Sequence, residues 1–404
     1  MNRTRIKLGC LFIVGLLALP ARAGGTLASA LDAAWQRAAV ARVAIGELRA
    51  AEAVSDSAGR WWAESPSIAL SHRDDRWHTD FGKRETGVDL SLPLWLPGQR
   101  NAHGQAAAAG LARADASQRA ARWRLAGEVR ESAWRLAALQ AEAVQMATAA
   151  SSLTQLAADV RRRVDAGELP RTDLLAAQAE ELAARNRLAS ADLQLREAAL
   201  QWRTLTGLDH HPQTAALAET VPADVTIGDD HPALQEAAGE AESAARQLDL
   251  ARTSRGAPPE LTIGWRRDIG GHGASGEESV VLGVRLPFGT DDRNKPLLAR
   301  AEAAADVART REQRQREQVA ASIANARDAL GVADAQAASA SEQARLLRER
   351  STLLERAFGA GELALPELLR ALEAASAADA NAARQQALLG LARAQLLQSL
   401  GQHP

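Results

Sequence analysis

Val160-Arg-Arg-Arg-Val-Asp-Ala-Gly-Glu-Leu-Pro-Arg-Thr-Asp-Leu-Leu175 reads as a helix stop followed at once by a helix start. Gly167 can take the left-handed conformation that closes a helix, and Pro170 suits the opening of the next one. A second version stands 194 residues further on. There Gly359-Ala-Gly-Glu-Leu-Ala-Leu-Pro-Glu-Leu-Leu369 sets Gly361 on Gly167, Leu363 on Leu169 and Leu368-Leu369 on Leu174-Leu175. Leu90-Ser-Leu-Pro93 and Val284-Arg-Leu-Pro287 keep the same offset, and Arg100-Asn101 meets Arg293-Asn294 one residue out of phase. Three matches in one order at nearly one spacing identify an internal duplication.

Working outward from the two turns, each half follows one plan. A helix comes first, over ~27–58 with Leu27, Leu31, Trp35 and Ala38 on one stripe, and over ~232–254 in the second half. Two alternating segments follow, Ser67–Arg73 and Thr86–Trp95 in one half, Glu260–Arg266 and Val280–Phe288 in the other. Period-two alternation over such lengths predicts half-buried strands. Long helical tracts run from roughly 99 to 165 and from roughly 293 to 358, each about 100 Å at 1.5 Å per residue. The return helices begin at Pro170 and Pro366 and cover ~171–206 and ~366–400.

This divides the chain into a leader at 1–23, an N-terminal helix at 24–65 and a first strand pair at 66–95. A first helical hairpin at 96–208, with its tip at 166–170, leads to an inter-repeat segment at 209–231. The second repeat has its first helix at 232–258, its strand pair at 259–288, its hairpin at 289–400 with the tip at 360–366, and a tail at 401–404.

Composition agrees with long helices. Of the 404 residues 46% are apolar but only 3% aromatic, with no tyrosine, so Ala, Leu and Val supply the burial. A monomeric porin, with aromatic girdles along many strands, is excluded. Of the twelve aromatics outside the leader, seven nevertheless lie within 61–95 and 259–288. Trp61, Trp62, Trp95 and Phe288 flank strand ends, where interfacial rings are favoured, so a small barrel share diluted by long helices stays open. The formal net charge of −2 comes from 48 basic and 50 acidic residues in interspersed order, which calls for no nucleic acid.

Residues 1–23 have a basic start (Arg3, Arg5, Lys7), an apolar run from Leu8 to Leu19 and Ala21-Arg22-Ala23 as a small-x-small cleavage site. This predicts a secretory leader. Its removal takes away four positive charges, Arg22 being the fourth, so −2 becomes −6. The single cysteine, Cys10, leaves with it, and cysteine-based metal or redox sites are excluded from the remainder.

Four strands of this length cannot close a conducting barrel, and open edges are not tolerated in lipid. Spanning strands would have to be pooled between chains; three chains give twelve strands. On these residues the chain resembles the TolC family of outer-membrane efflux channels. The likeness rests on the duplicated order of helix, strand pair and hairpin, on Leu92-Pro-Leu-Trp95 and Leu286-Pro-Phe288, and above all on the tip Val160–Leu175. The modest length and the arginine-rich approach to the first tip resemble the CzcC-like heavy-metal branch more than the multidrug branch.

The resemblance implies a homotrimer that joins a twelve-stranded barrel in the outer membrane to a periplasmic helical tunnel. It implies outer-membrane lipid around the barrel, a periplasmic membrane-fusion adaptor at the tips and an inner-membrane pump of the RND type. Neither enzyme chemistry nor a cofactor belongs to it. The adaptor contacts would be Gly167, Glu168 and Leu169 with Gly361, Glu362 and Leu363. The tip constriction would involve Asp173 and Glu367, six residues after each tip glycine. Arg370 stands where a further acid is expected, and Phe358 and Leu363 stand where family members can place a locking tyrosine and arginine. Without that lock, packing would hold the closed tip. Three copies of Glu367 around a narrow axis would favour cations; a solvated charge near a turn is the plainer reading of the same residue.

Eight histidines offer metal ligands, His210-His211 and the Asp229-Asp230-His231 run among them. Those two runs lie in the polar inter-repeat segment, where no spacing fixes a tetrahedral site, so their histidines read as solvated loop residues. No Gly-x-Ser-x-Gly, phosphate loop or His-Glu-x-x-His is present. Asp89, Ser91 and Arg285 fall on polar strand faces and would line a pore. A periplasmic coiled-coil scaffold or adaptor without a channel explains the helices equally well, but not the strand pair at the same place in both halves.

Overall fold

The computed structural model describes residues 26–210, 217, 219, 228, 230–254, 257–288 and 291–404. The leader with Cys10, and His211 and Asp229, lie outside the described residues. The elements run α1 (Leu27–Arg37), α2 (Ala39–Ala58), β1 (Ser67–Asp74), β2 (Lys83–Pro93), α3 (Gln99–Asp165) and α4 (Arg171–Thr206). The second repeat follows as α5 (Pro232–Thr253), β3 (Glu260–Gly270), β4 (Glu277–Arg285), α6 (Asp291–Gly359) and α7 (Leu365–Ser399). The protein is mainly helical and internally duplicated, with a small four-stranded sheet. Among the described residues no helix is long and apolar enough to cross a bilayer.

The long helices α3 and α6 have 67 and 69 residues. Each is flanked by a shorter helix near the sheet (α2 or α5) and by its return helix toward the tip (α4 or α7). The seams are built from alanine: Ala106, Ala120, Ala126, Ala133 and Ala157 of α3 are all buried. Small side chains let helix axes approach closely, and interaxial distance follows the residues at the contact. Few large groups interrupt this pattern. Trp134 packs against Gly390 of α7, where a Cβ would fall well inside contact distance of the indole.

The single helix predicted over ~27–58 is two. Ala38 is extended (φ −65°, ψ 132°) between α1 and α2, although its N–H still bonds to Ala34 O at 2.9 Å. Both parts pack on α3, and α1 packs on the end of α4 as well, so one extended residue re-aims the chain. A second difference concerns the return helices. Pro170 caps α4, whereas the cap of α7 is Ala364 and Pro366 lies inside its first turn. The repeats are thus aligned by backbone geometry, Pro170 on Ala364, rather than by proline on proline.

The strands form one antiparallel sheet in the order β1-β2-β3-β4, so β2 and β3 join the two repeats. The strands are longer at the loop end than their alternation suggests: β2 begins at Lys83 and β3 ends at Gly270. Residues there pair through their backbones (Arg84 with Ile269, Glu85 with Asp268), which side-chain periodicity does not report.

Candidate functional site: sheet faces, sheet root and helical tips

The register sorts the side chains of all four strands onto two faces. Leu70, Val88, Trp265 and Val280 form one cross-strand row, and Ile68, Leu90, Ile263 and Leu282 the next. A third row holds Leu92, Leu261 and Val284. Because side chains alternate along a strand, these rows share a face. It is open: Leu70 is 81% and Val280 78% exposed. The opposite face is small and polar, with Ser71, Gly87, Arg266 and Ser279 in one row and Ala69, Asp89, Gly264 and Val281 in another. Asp89 and Ser91 lie on it, as does Arg285, whose guanidinium is 3.6 Å from Glu260. Gly264 leaves room for the Asp89 carboxylate to lie flat across the sheet.

At the root of the sheet the helices are tied in by side chains. The Trp95 indole N–H donates to Arg60 O at 3.3 Å and its ring meets His103 at 5.5 Å. Arg100 lies over Trp61 at 5.9 Å and donates to Gly59 O at 2.9 Å. Trp62 is half-buried, while Trp61 and Phe288 are exposed. Gln99 and Asn294, near the starts of α3 and α6, both bond to Ser254 at the end of α5. One residue therefore indexes both long helices against the sheet.

The two tips close with one hydrogen-bond pattern. Gly167 (φ 79°) and Gly361 (φ 78°) are left-handed, a conformation open to glycine without steric penalty. Glu168 N–H donates to Arg163 O at 2.8 Å and Glu362 N–H to Ala357 O at 2.9 Å, the six-to-one bond of a Schellman turn. Asp173 and Glu367 occupy the same third position of α4 and α7, where a carboxylate also complements the helix dipole. Asp173 is half-buried; Glu367 and Arg370 are exposed. Leu169 and Leu363 lean on one shared cluster that includes Val160, Phe358, Leu365 and Leu368. Both tips thus end on one core, and Phe358 is buried in it (5% exposed) rather than displayed.

A helix, a strand pair and a hairpin with this tip occupy residues 27–206, and residues 30–208 match the family described as outer membrane efflux protein. That match covers 179 of the 404 residues and spans the first repeat. The whole chain has the TolC-type fold. It is similar to CusC at 17% identity and TM-score 0.77, over 93% of this chain and 92% of that one. It is similar to the outer membrane channel CmeC of Campylobacter jejuni at 14% identity and TM-score 0.75, over 99% and 93%. The outer membrane protein VceC of Vibrio cholerae gives 17% identity and TM-score 0.74, over 93% and 96%. Among curated protein sequences none matches the chain.

Two residues of this chain have roles that the sequence does not announce. Arg130 is 2% exposed on α3. It forks onto both carboxylate oxygens of Glu219 (3.0 and 2.7 Å) and donates to Gln398 Oε1 (2.6 Å) and Gln402 O (2.9 Å). It holds Glu219 and the chain end against α3. Its signal was its phase, since Ala126, Val129, Ala133 and Ala137 on the same stripe are all buried. His231, read as a solvated loop histidine, is instead buried (3% exposed). Its Nδ1 accepts the Ala233 N–H at 3.2 Å as the cap of α5, its Nε2 faces Ser399 O at 3.2 Å, and its ring stands edge-on to Trp123 at 5.1 Å. Burial pushes the His231 imidazole below its ordinary pKa. The correction has a local cause: His-Pro before a helix puts the imidazole at the cap, facing the end of α7. His210 is exposed, and among the described residues no group of histidines and acids could hold a metal ion.

Proposed function

We propose that this chain is the outer-membrane channel component of a tripartite efflux system. Three copies pool their four-stranded sheets into a twelve-stranded barrel, and their helices continue it as a tunnel across the periplasm. One observation carries the reading: among the described residues the sheet has an uncovered apolar face across all four strands, and β1 and β4 each have one edge without a partner strand. Lipid satisfies the face, and neighbouring chains satisfy the edges. Exposed apolar side chains on the helices support the same assembly. Leu175, Leu182, Leu193 and Leu200 on α4 and Val332, Leu346 and Leu353 on α6 recur at intervals of seven or eleven or their multiples, which keep one helix face.

The channel conducts passively. An RND-type pump in the inner membrane supplies energy, and an adaptor docks on the tips through Gly167–Leu169 and Gly361–Leu363. Rings of Asp173 and Glu367 narrow the tunnel and favour cations. Heavy-metal cations as cargo rest on the branch resemblance, and growth of a deletion strain on Zn, Co, Cd, Cu and a drug panel assigns them. The scaffold alternative leaves the apolar sheet face without a cover.

The deciding experiment expresses the full chain with its leader, fractionates the membranes and runs the outer-membrane fraction without boiling. A heat-labile three-chain species is expected. A strictly soluble monomer in the periplasm ends the channel reading.

A further inference from the structure

The outward face of the sheet does not stay apolar to its end. Beyond the row of Trp265 the register sets His72, Thr86, Arg267 and Glu278 side by side, and beyond these Asp74, Arg84 and Ile269. They share the leucine face by strand alternation, and His72 Nδ1 lies 3.0 Å from Thr86 Oγ1 on it.

The geometry points to a phosphate-binding girdle: Arg84 and Arg267, held just beyond the apolar band, take phosphate groups of the outer-leaflet lipid. The inference rests on the channel reading, which makes this face lipid-facing. The level is right, because Arg267 stands one two-residue step, about 7 Å, beyond Trp265. An aromatic ring at the interface with a cation one step out is the depth of lipid headgroups.

The arginines are also presented for an anion. Asp74 accepts from Arg76 at 3.0 Å and lies 3.7 Å from Arg84 and 4.0 Å from His72, so one carboxylate orients two guanidiniums without neutralising them. Arg267 lies over Gly276, where a Cβ would come within 2.9 Å of its Nε. Its cross-strand neighbour Glu278 forms no ion pair with it within 4.0 Å among the described residues. A planar guanidinium offers the forked pair of donors that suits phosphate.

Charge is sorted between the faces. The inward row at this level is Arg73, Glu85, Asp268 and Glu277, with Arg266 turned to Glu85 at 3.1 Å. At the other end of the sheet the chain leaves β4 through Leu286 and Phe288, both exposed and uncharged. At this rim the inward row is thus mostly acidic, while Arg84 and Arg267 stand on the outward face.

The test uses the trimer in neutral detergent with lipid A, enzymatically dephosphorylated lipid A and inorganic phosphate as probes, read by native mass spectrometry. Lipid A is expected to bind more tightly than its dephosphorylated form. Its affinity should fall about fivefold for each of Arg84→Gln and Arg267→Gln, and about 25-fold for the pair. The Lys variants should retain most of it, and Arg266→Gln, on the inward face, all of it. The single variants keep the test alive if the double does not assemble. Equal binding of both lipids, an unaffected double variant, or displacement of lipid A by inorganic phosphate at equal concentration overturns the girdle. Absence of a heat-labile trimer in the unsubstituted chain strikes the channel reading itself, whereas a trimer indifferent to phosphate strikes only the girdle.

Discussion

The guanidinium of Arg163, on the descending helix of the first hairpin, lies 5.2 Å from the centroid of the Phe358 ring at the end of the second. It also donates to Phe358 O at 3.5 Å and is steadied by Asp159 at 3.1 Å. Each tip is therefore braced by the other, through a cation over a buried ring instead of an exposed polar lock. Phe358→Ala should cost about 3–5 kcal/mol and Arg163→Met about 0.5–2 kcal/mol. The double variant should lose less than the sum, because the two share one contact. Trypsin cleavage at Arg161 and Arg162, timed in each variant, reports the loosening; strictly additive rates would show that the pair is not coupled.

Gly390 exists for Trp134. A methyl group there meets the indole, and α7 has to move off α3 or the ring has to leave its rotamer. Gly390→Ala is expected to destabilise by about 1–3 kcal/mol. Gly390→Ala combined with Trp134→Leu should recover most of that loss. Thermal unfolding of the solubilised protein checks both, and a fully stable Gly390→Ala single variant would contradict this packing.

His231 predicts a pH dependence whose sign follows from its burial. Its folded pKa is depressed below the ordinary 6.5, so the unfolded chain takes up a proton before the folded one does. Stability is complete above the unfolded value and is lost as pH falls from about 7 through the folded value. Protonation also removes the Nδ1 acceptor that caps α5 and sets a positive charge at a helix N-terminus. His403 is depressed in the same direction by burial beside Arg122 and Arg130. His231→Asn, which can still cap, should flatten the slope between pH 7.5 and 5, and His403→Gln should remove only the remainder. An unchanged slope in His231→Asn would place the proton elsewhere.

These three cases mark what could be read from the amino-acid order. The glycine turns, the long helices and the strand parity are local patterns, and they stand where the periodicities put them. The break at Ala38 is not local: no glycine or proline announces it, and it falls where α1, packed on α3 and α4, gives way to α2, which follows α3. Arg163 read as one of three consecutive arginines, and only the approach of a ring 195 residues away singles it out. His231 was hidden similarly, since its partner is the last turn of α7. At the candidate site, sequence supplied the residues of the tips, but not that both tips share one core.

Asp173 and Glu367 stand at equivalent third positions of α4 and α7, so a trimer would bring six carboxylates to one end of the tunnel. In planar bilayers, Asp173→Asn with Glu367→Gln should raise the concentration of a trivalent cation needed for half block by about tenfold, or 1.4 kcal/mol. Arg370→Gln should act oppositely. Identical block in the acid variants and the unsubstituted chain would leave both acids as helix-dipole partners only.

The unpaired edges of β1 and β4 make the sharpest demand. If β4 of one chain pairs with β1 of the next, the apolar face has to continue across the joint, because a slip of one residue would turn every leucine into the lumen. Odd-numbered β1 residues must then meet odd-numbered β4 residues, as Ser71 and Ser279 already share one row within a chain. The sole native cysteine lies in the leader, so engineered pairs report cleanly. Ser71→Cys should cross-link between chains with a cysteine at one of 279, 281 or 283, and not with one at 280, 282 or 284. The product should run as a ladder up to three chains on a non-reducing gel. Cross-linking at an even position would require the barrel to close with an inverted strand, and cross-linking at none would leave these edges to some other partner.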